Sequence, residues 1–340
     1  MLSYDQATLR RRASFLSAVT LAHLSDLHLP LAGLPSLKEI RFKRVLSLLS
    51  WQLRRKHIHL PQTLTCVVKD IRHHNPDMVA MTGDLTNLGL LSEFQAAQAW
   101  LSAQDLPPTL LVPGNHDALI RGQAQTKTDL WAPWLRTMEN GISLLQHGPV
   151  VLIGLNSAIP TAPFLASGCV APHALEALRP LLRQMGKEGL CRVVLLHHPP
   201  VRGLVPRRKG LRQCTQLQQL LREEGAELIL HGHSHKASLT FLPETRIPVL
   251  GTPSASHCAQ LSSRSAGWNA ISIQAAKDTW DITVQRRALC MDYKMHDGPS
   301  YRFMPHRLSR AMSLCQRACS LCLSCAVSEL SSYPECLTVT

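Results

Sequence analysis

Five apolar runs in this chain end abruptly, each in a cluster of Asp, Asn or His. They are AVTLAHLSDLH at 18–28, DMVAMTGD at 77–84, TLLVPGNHD at 109–117, RVVLLHHPP at 192–200 and ELILHGHSH at 227–235. Unbroken rather than alternating apolar character suits strands buried on both faces. Between them, residues 62–74, 92–103, 172–185 and 215–224 carry apolar side chains at spacings of three and four, the last segment stopping at Gly225. Strand and helix signals in alternation predict βα units around a largely parallel sheet, an α/β fold. GPVVLIGLNS at 148–157 and IPVLG at 247–251 add strands, and 268–286 reads as a closing strand pair. The core domain is therefore expected over 17–288, after an N-terminal extension, 1–16. A Ser-, Cys- and Leu-rich tail, 289–340, shows no clear period and is expected to be poorly ordered.

In α/β sheets ligands gather beyond the carboxyl ends of the strands, and every polar cluster here falls at such an end. Five motifs remote in sequence are thus expected to share one edge of the fold. The candidate ligands, in order, are Asp26, His28, Asp84, Asn115, His197, His233 and His235. Singly, each cluster has an ordinary account: a cap in a solvated loop for Asp26 and His28, a tight turn for GNHD, a solvent-facing loop for GHSH. Jointly, two carboxylates, four imidazoles and an amide oxygen are too many for one tetrahedral zinc. They fit two divalent ions that share a bridging carboxylate. Cysteine is absent from all five clusters, which speaks against a structural zinc. The mixed nitrogen and oxygen set accommodates Mn²⁺, Fe or Zn²⁺.

The ordered set DLH (26–28), GD (83–84), GNHD (114–117), HHP (197–199) and GHSH (232–235) resembles the motifs of the calcineurin-like metallophosphoesterases. The resemblance spans about 210 residues and is nearest the branch of class III cyclic-nucleotide phosphodiesterases and related bacterial phosphodiesterases. It implies a four-layer αββα sandwich, two mixed sheets flanked by helices. It further implies that Asp26, His28 and His235 hold one metal, that Asn115, His197 and His233 hold the other, and that Asp84 bridges. His197 is chosen over His198 because the ligand of this motif stands two before the proline. His116 becomes the general acid that contacts the phosphate, and Asp117 the carboxylate that fixes its tautomer. The implied activity is hydrolysis of a small phosphoester, a phosphodiester such as a cyclic nucleotide, by water activated between two metals. The alternatives are a nucleotide-linked lipid pyrophosphatase at a membrane surface and a non-catalytic scaffold. The scaffold is disfavoured because no ligand is missing.

A formal charge of +13 favours anionic partners. Seven Lys/Arg against one Glu lie between Lys38 and Lys56, in a segment (36–58) that reads as one basic amphipathic helix with Phe42, Leu46, Leu49 and Leu53 on a face. That face is expected to pack on the core. The rival reading is an interfacial helix that caps the site or meets anionic lipid. Stacking aromatics are not interleaved with these cations, which argues against a nucleic acid. His57, His59, His73 and His74 read as surface residues.

Eleven cysteines, an odd number, point to a reducing compartment rather than a disulfide framework. The export-like stretch 10–22 runs straight into the first strand, so cleavage would destroy it. No run reaches the roughly 18 apolar residues a membrane span requires. The expected location is cytoplasmic, at most peripheral to the inner face of the membrane.

Overall fold

A computed structural model describes residues 18–120, 127, 129–260 and 262–306. Two six-stranded sheets form its centre. The first has the order β12-β11-β10-β1-β2-β3, from β1 (Val19–Leu24), β2 (Met78–Met81), β3 (Thr109–Leu111), β10 (Gly267–Ala275), β11 (Trp280–Leu289) and β12 (Met295–Phe303). The second runs β4-β5-β6-β7-β9-β8, from β4 (Ile142–His147), β5 (Val150–Leu155), β6 (Cys191–Leu196), β7 (Leu228–His231), β8 (Ser238–Phe241) and β9 (Pro248–Gly251). Both sheets are mixed: the first joins an antiparallel half (β12-β11-β10-β1) to a parallel half (β1-β2-β3), and the second is parallel from β5 to β9 with β4 and β8 antiparallel at its margins.

The unbroken apolar runs have a direct cause. In β2, Met78 and Ala80 turn toward the other sheet, while Val79 and Met81 turn toward helices α2 (Pro61–His74) and α3 (Leu91–Ala103). In β6, Val193 and Leu195 join the inter-sheet core, and Val194 and Leu196 pack under α4 (Pro172–Lys187) and α5 (Cys214–Glu224). Both pleat faces are apolar because both are covered, and the result is the αββα sandwich. The helices start and stop for local reasons. Pro61 and Pro172 sit in the first turns of α2 and α4, Asn75 closes α2 in the left-handed region, and Gly225 closes α5.

Register positions the site. Leu24, Met81 and Leu111 stand in one row at the carboxyl edge of the first sheet, and Leu196, His231 and Gly251 in one row at that edge of the second. All seven candidate ligands lie one to four residues past these rows.

Two expectations need correction. The closing strand pair is a three-stranded meander, because β12 adds to it from within the segment read as a patternless tail. β12 is an exposed edge strand containing Gly298 and Pro299, so it shows no apolar period. Residues 307–340 of that tail, and 1–16, lie outside the described residues. The basic segment 36–58 is not one helix either: α1 (Phe42–Leu53) lies between single 3₁₀ turns at Leu37–Glu39 and Arg55–His57.

Asp70 of α2 ties the helix layer to the first sheet. It accepts hydrogen bonds from Trp268 Nε1 at 2.8 Å and from Arg287 Nε and Nη2 at 2.9 and 2.8 Å. Burial pushes its carboxyl upward, but Arg287 and Trp268 outweigh burial and hold it below the usual carboxylate range. A depressed folded pKa stabilises the fold above the unfolded value and is lost as pH falls through the folded one. Asp70→Asn is therefore expected to cost about 1.5–3 kcal/mol at pH 7. The gap to the parent should close in acid, and urea melts at pH 7 and near pH 3 check both statements.

Candidate metal centre

The loops past the two carboxyl edges are tied to each other before any side chain is considered. Asp26 N–H donates to Gly83 O at 2.8 Å, and His28 N–H to Asp84 O at 2.9 Å, joining the β1 and β2 loops. Gly83 has φ +95°, and a Cβ there would lie 2.6 Å from Gly114 N and 2.8 Å from His197 Nδ1, so only glycine fits. Five of the seven candidate ligands hold left-handed backbone: Asp26 (φ 53°), His28 (42°), Asp84 (55°), His233 (63°) and His235 (50°). Such conformations cost about 1–2 kcal/mol each for residues with a Cβ. Their concentration here marks a site that the surrounding fold over-determines.

The side chains converge as two groups that share Asp84. Ligand atoms of Asp26, His28, Asp84 and His235 lie within 4.8 Å of one another, as do those of Asp84, His197 and His233. Asp84 Oδ2 stands 4.0 Å from His28 Nε2 on one side and 3.4 Å from His197 Nε2 on the other. Asn115 Oδ1 is 3.2 Å from His197 Nε2, which brings it into the second group. All seven candidates are thus brought together.

Backbone carbonyls fix how the rings face. His197 Nδ1 donates to Thr82 O at 2.6 Å and His28 Nδ1 sits 3.3 Å from Thr86 O, leaving the Nε2 lone pairs inward. His233 is turned the other way: its Nε2 donates to Lys209 O at 3.0 Å, which frees Nδ1. A ring nitrogen held on a carbonyl is the arrangement that orients a metal-binding histidine.

These groups fit divalent cations on their own chemistry. Asp26 Oδ1 is buried without a hydrogen bond, although His235 Nε2 is 3.0 Å away. His28 Nε2 and His235 Nε2 lie 3.4 Å apart, close enough for both to reach one cation. Burial raises the Asp84 carboxyl, but His197, His116 and His28 outweigh burial and hold it well below the usual range. Burial lowers His28 and His233 strongly, keeping them neutral as ligands require.

His116 lies beside the centre, with its N–H on Asp84 Oδ1 at 2.8 Å and its ring 5.1 Å from that of His28. The tautomer assignment to Asp117 is corrected here. His116 Nδ1 donates to Asn87 O at 2.8 Å, whereas Asp117 makes no contact with the ring. The Asp117 carboxylate instead accepts from Asp84 N, Leu85 N, Thr86 N, Thr86 Oγ1 and Gly114 N at 2.8–3.1 Å. It clamps the two loops that carry Asp84, Asn115 and His116.

Two residues of the 36–58 region and its flank reach the site without having been expected there. Arg55 Nη1 is 3.2 Å from both ring nitrogens of His116, and Nη2 donates to Ser47 O and Oγ at 2.9 and 2.8 Å. Its Nε is buried without a partner, and no carboxylate among the described residues forms an ion pair with it. His59, read as a surface residue, is mostly buried, 4.3 Å from the His28 ring, with Nδ1 on Ser254 and Ser256 Oγ at 3.1 and 3.0 Å. It forms a further potential metal group with His28 and His235. No short-range pattern marks either residue. Both depend on long-range backbone pairs, Leu60 N–H to Ser256 O and Cys258 N–H to Ile58 O, each at 2.7 Å. His198, by contrast, is held on Ser157 Oγ (2.9 Å) and Ala166 O (3.2 Å) as a local structural residue.

The centre opens into a cleft of about 800 Å³. Seven Lys/Arg line it against one carboxylate, Asp84, and part of its wall is apolar, from Leu46, Phe164, Leu165 and Val205.

A family model described as calcineurin-like phosphoesterase matches residues 19–237. The chain is 29% identical to the probable glycerophosphodiester phosphodiesterase GpdQ of Arcobacter nitrofigilis over 56% of this chain and 67% of that protein. It is 27% identical to a probable cyclic nucleotide phosphodiesterase of Vesicomyosocius okutanii over 54% and 70%. Among solved structures, a dimetal phosphatase from Danio rerio has the same fold at TM-score 0.50 and 13% identity, covering 78% of this chain and 95% of that one. A purple acid phosphatase from yellow lupin does so at 0.51 and 12%, over 86% and 55%. With two metal-competent groups sharing one carboxylate at the joined edges of an αββα sandwich, the chain belongs to the calcineurin-like phosphoesterase family and is a metal-dependent phosphoester hydrolase.

Proposed function

We propose that the chain is a two-metal phosphodiesterase acting on a small phosphodiester, with a 3′,5′-cyclic nucleotide as the first candidate. One observation carries the two-metal part: Asp84 Oδ2 lies between His28 Nε2 and His197 Nε2, each of which belongs to a different ligand group. Asp26, His28 and His235 would hold one cation, Asn115, His197 and His233 the other, and Asp84 would serve both. The phosphodiester part is supported by what the relatives are named for. Two divalent cations held there would lower the pKa of bound water toward neutrality and offset charge on phosphoryl oxygens.

The remaining work falls to residues of the chain. His116, with Nδ1 committed to Asn87 O, can move a proton only at Nε2. Burial, with the neighbouring Arg55 guanidinium, pushes this ring down to about 4, so it is neutral at pH 7 in the absence of substrate. A phosphoryl anion brought against Arg55 offsets that guanidinium and draws the ring back toward protonation. The ring then stands ready to donate from Nε2 to the leaving oxygen. Arg55, a half-buried cation with a buried Nε and no carboxylate ion pair among the described residues, holds the phosphate in this scheme.

A second reading, a phosphodiester or pyrophosphate carried on a lipid, is favoured by the apolar wall of the cleft at Phe164 and Leu165. The discriminating experiment is turnover by purified protein with Mn²⁺ on bis(p-nitrophenyl) phosphate, cyclic nucleotides, glycerophosphodiesters, nucleotide-linked lipids and p-nitrophenyl phosphate. Failure on every diester would sink the reading.

Asp84→Ala is expected to abolish turnover and to reduce bound metal from two ions per chain to one or fewer, measured by elemental analysis of the folded variant. His116→Ala should retain both metals and lose about 10²–10⁴ in kcat. Arg55→Ala should retain both metals and lose roughly 10–100-fold in kcat/KM, with partial recovery in Arg55→Lys. Metal loss in Arg55→Ala would assign the residue to the metal site instead.

A further inference from the structure

Fifteen large apolar side chains stand exposed among the described residues, and seven of them fall between residues 34 and 53. Leu37 is 87% exposed, Leu53 80% and Phe42 64%. This reverses the expectation that the leucine stripe of α1 packs on the core. At 100° per residue, Phe42, Val45, Leu49 and Leu53 share one face, and that face points outward. The fully buried residues of its inward face, Arg44 and Ser47, are polar, with Leu48 and Trp51 half-buried beside them. Arg44, 2% exposed, spends its guanidinium on the carbonyls of Glu39, Leu88 and Gly89. Ser47 donates to Asn87 O at 3.1 Å, and Lys43 reaches Thr161 at 2.7–2.9 Å.

A contiguous apolar face of this kind is built to be covered. We propose that α1 and the segment before it seat on an anionic lipid bilayer, with the catalytic cleft opening at the level of the headgroups. Three observations select this occupant. Lys38, Arg41, Arg54 and Lys56 are exposed around the apolar residues, and Glu39 is the one acid between Lys38 and Lys56. The pattern recurs across the cleft, where exposed Phe164 has Arg208 Nη1 on its carbonyl at 3.1 Å. A second copy docked through the same face by a two-fold axis would set these cations against their own images, whereas anionic headgroups complement them.

Twelve residues cannot cross a bilayer, and no helix among the described residues is long and apolar enough to do so. α1 would lie in the interface, apolar side down, as amphipathic helices do. Leu46, Phe164 and Leu165 border both the cleft and this surface. A substrate whose phosphodiester sits in a lipid headgroup would therefore enter without leaving the membrane plane. That substrate class rests on the phosphodiesterase reading; the docking does not.

The test is flotation of the full 340-residue chain with vesicles of phosphatidylcholine alone or mixed with phosphatidylglycerol, alongside turnover of soluble bis(p-nitrophenyl) phosphate. The parent is expected to float with the anionic vesicles only. The variant Phe42→Ser/Leu49→Ser/Leu53→Ser should partition about tenfold more weakly or worse. Lys38→Glu/Arg41→Glu/Lys56→Glu should lose at least roughly fivefold for each cation. Both variants alter exposed positions outside the site and should keep parental turnover in solution, so a failure of catalysis is distinguished from a failure of docking. Absence of parental binding, or binding undiminished in the serine variant, overturns the proposal. So does a dimer that the serine variant dissolves while vesicles bind neither form, since the face would then belong to a second copy.

Discussion

Asp84 carries a negative charge into a space crowded by imidazoles and closed to solvent, and the rest of the site is arranged around that placement. Its backbone is left-handed at φ 55°, its N–H is held by Asp117 and its Oδ1 by the N–H of His116. Those restraints leave Oδ2 as the free end, aimed between His28 and His197. Gly114 passes so close that a Cβ there would collide with the Asp84 carboxylate, so the β2 and β3 loops are fitted against each other as backbone on backbone. The two sheets meet here as well, because His197 of the second sheet donates to Thr82 O of the first. The position of one oxygen thus depends on loops from both sheets.

Holding it there is costly. Five left-handed candidate ligands and a buried carboxylate oxygen without a hydrogen bond each oppose folding. They persist because three apolar layers fix the strands on which they ride: the inter-sheet core and the two helix–sheet cores. A cation would relieve the electrostatic cost and offset the backbone one, so metal bound here would stabilise the fold.

The frame was legible from the sequence because its cause is local. A strand covered on both faces must be apolar at every position, and the ligands must follow where it stops, so the five motifs announce both the sheets and the site. The stop of α5 at Gly225 was legible for the same reason. What was not legible depends on distant partners. Phe42, Leu46, Leu49 and Leu53 have the spacing of a core face, and periodicity cannot tell that Arg44 and Ser47 find carbonyls at 87–89 while Phe42, Leu49 and Leu53 stay exposed. His59 and Arg55 carry no pattern and are placed by pairing of 58–60 with 256–258. Asp117 follows His116 in sequence, which suggested contact, yet the turn aims the carboxylate at backbone amides and leaves the ring to Asn87.

The orientation of α1 follows from the site rather than from the helix itself. Turning its apolar face inward means rotating it by about half a turn, since Arg44 and Ser47 lie on the side opposite Phe42, Leu49 and Leu53. That rotation would strand a buried guanidinium from three carbonyls, break Ser47 from Asn87 and withdraw the support beneath Arg55. Arg55 in turn stands 3.2 Å from both ring nitrogens of His116, so the candidate acid would lose a neighbour too. Unpartnered buried polar groups cost about 1–3 kcal/mol each, and several would be created together. Arg44 and Ser47 are therefore committed inward beside Arg55 and the candidate acid, and Phe42, Val45, Leu49 and Leu53 are left outside as a consequence.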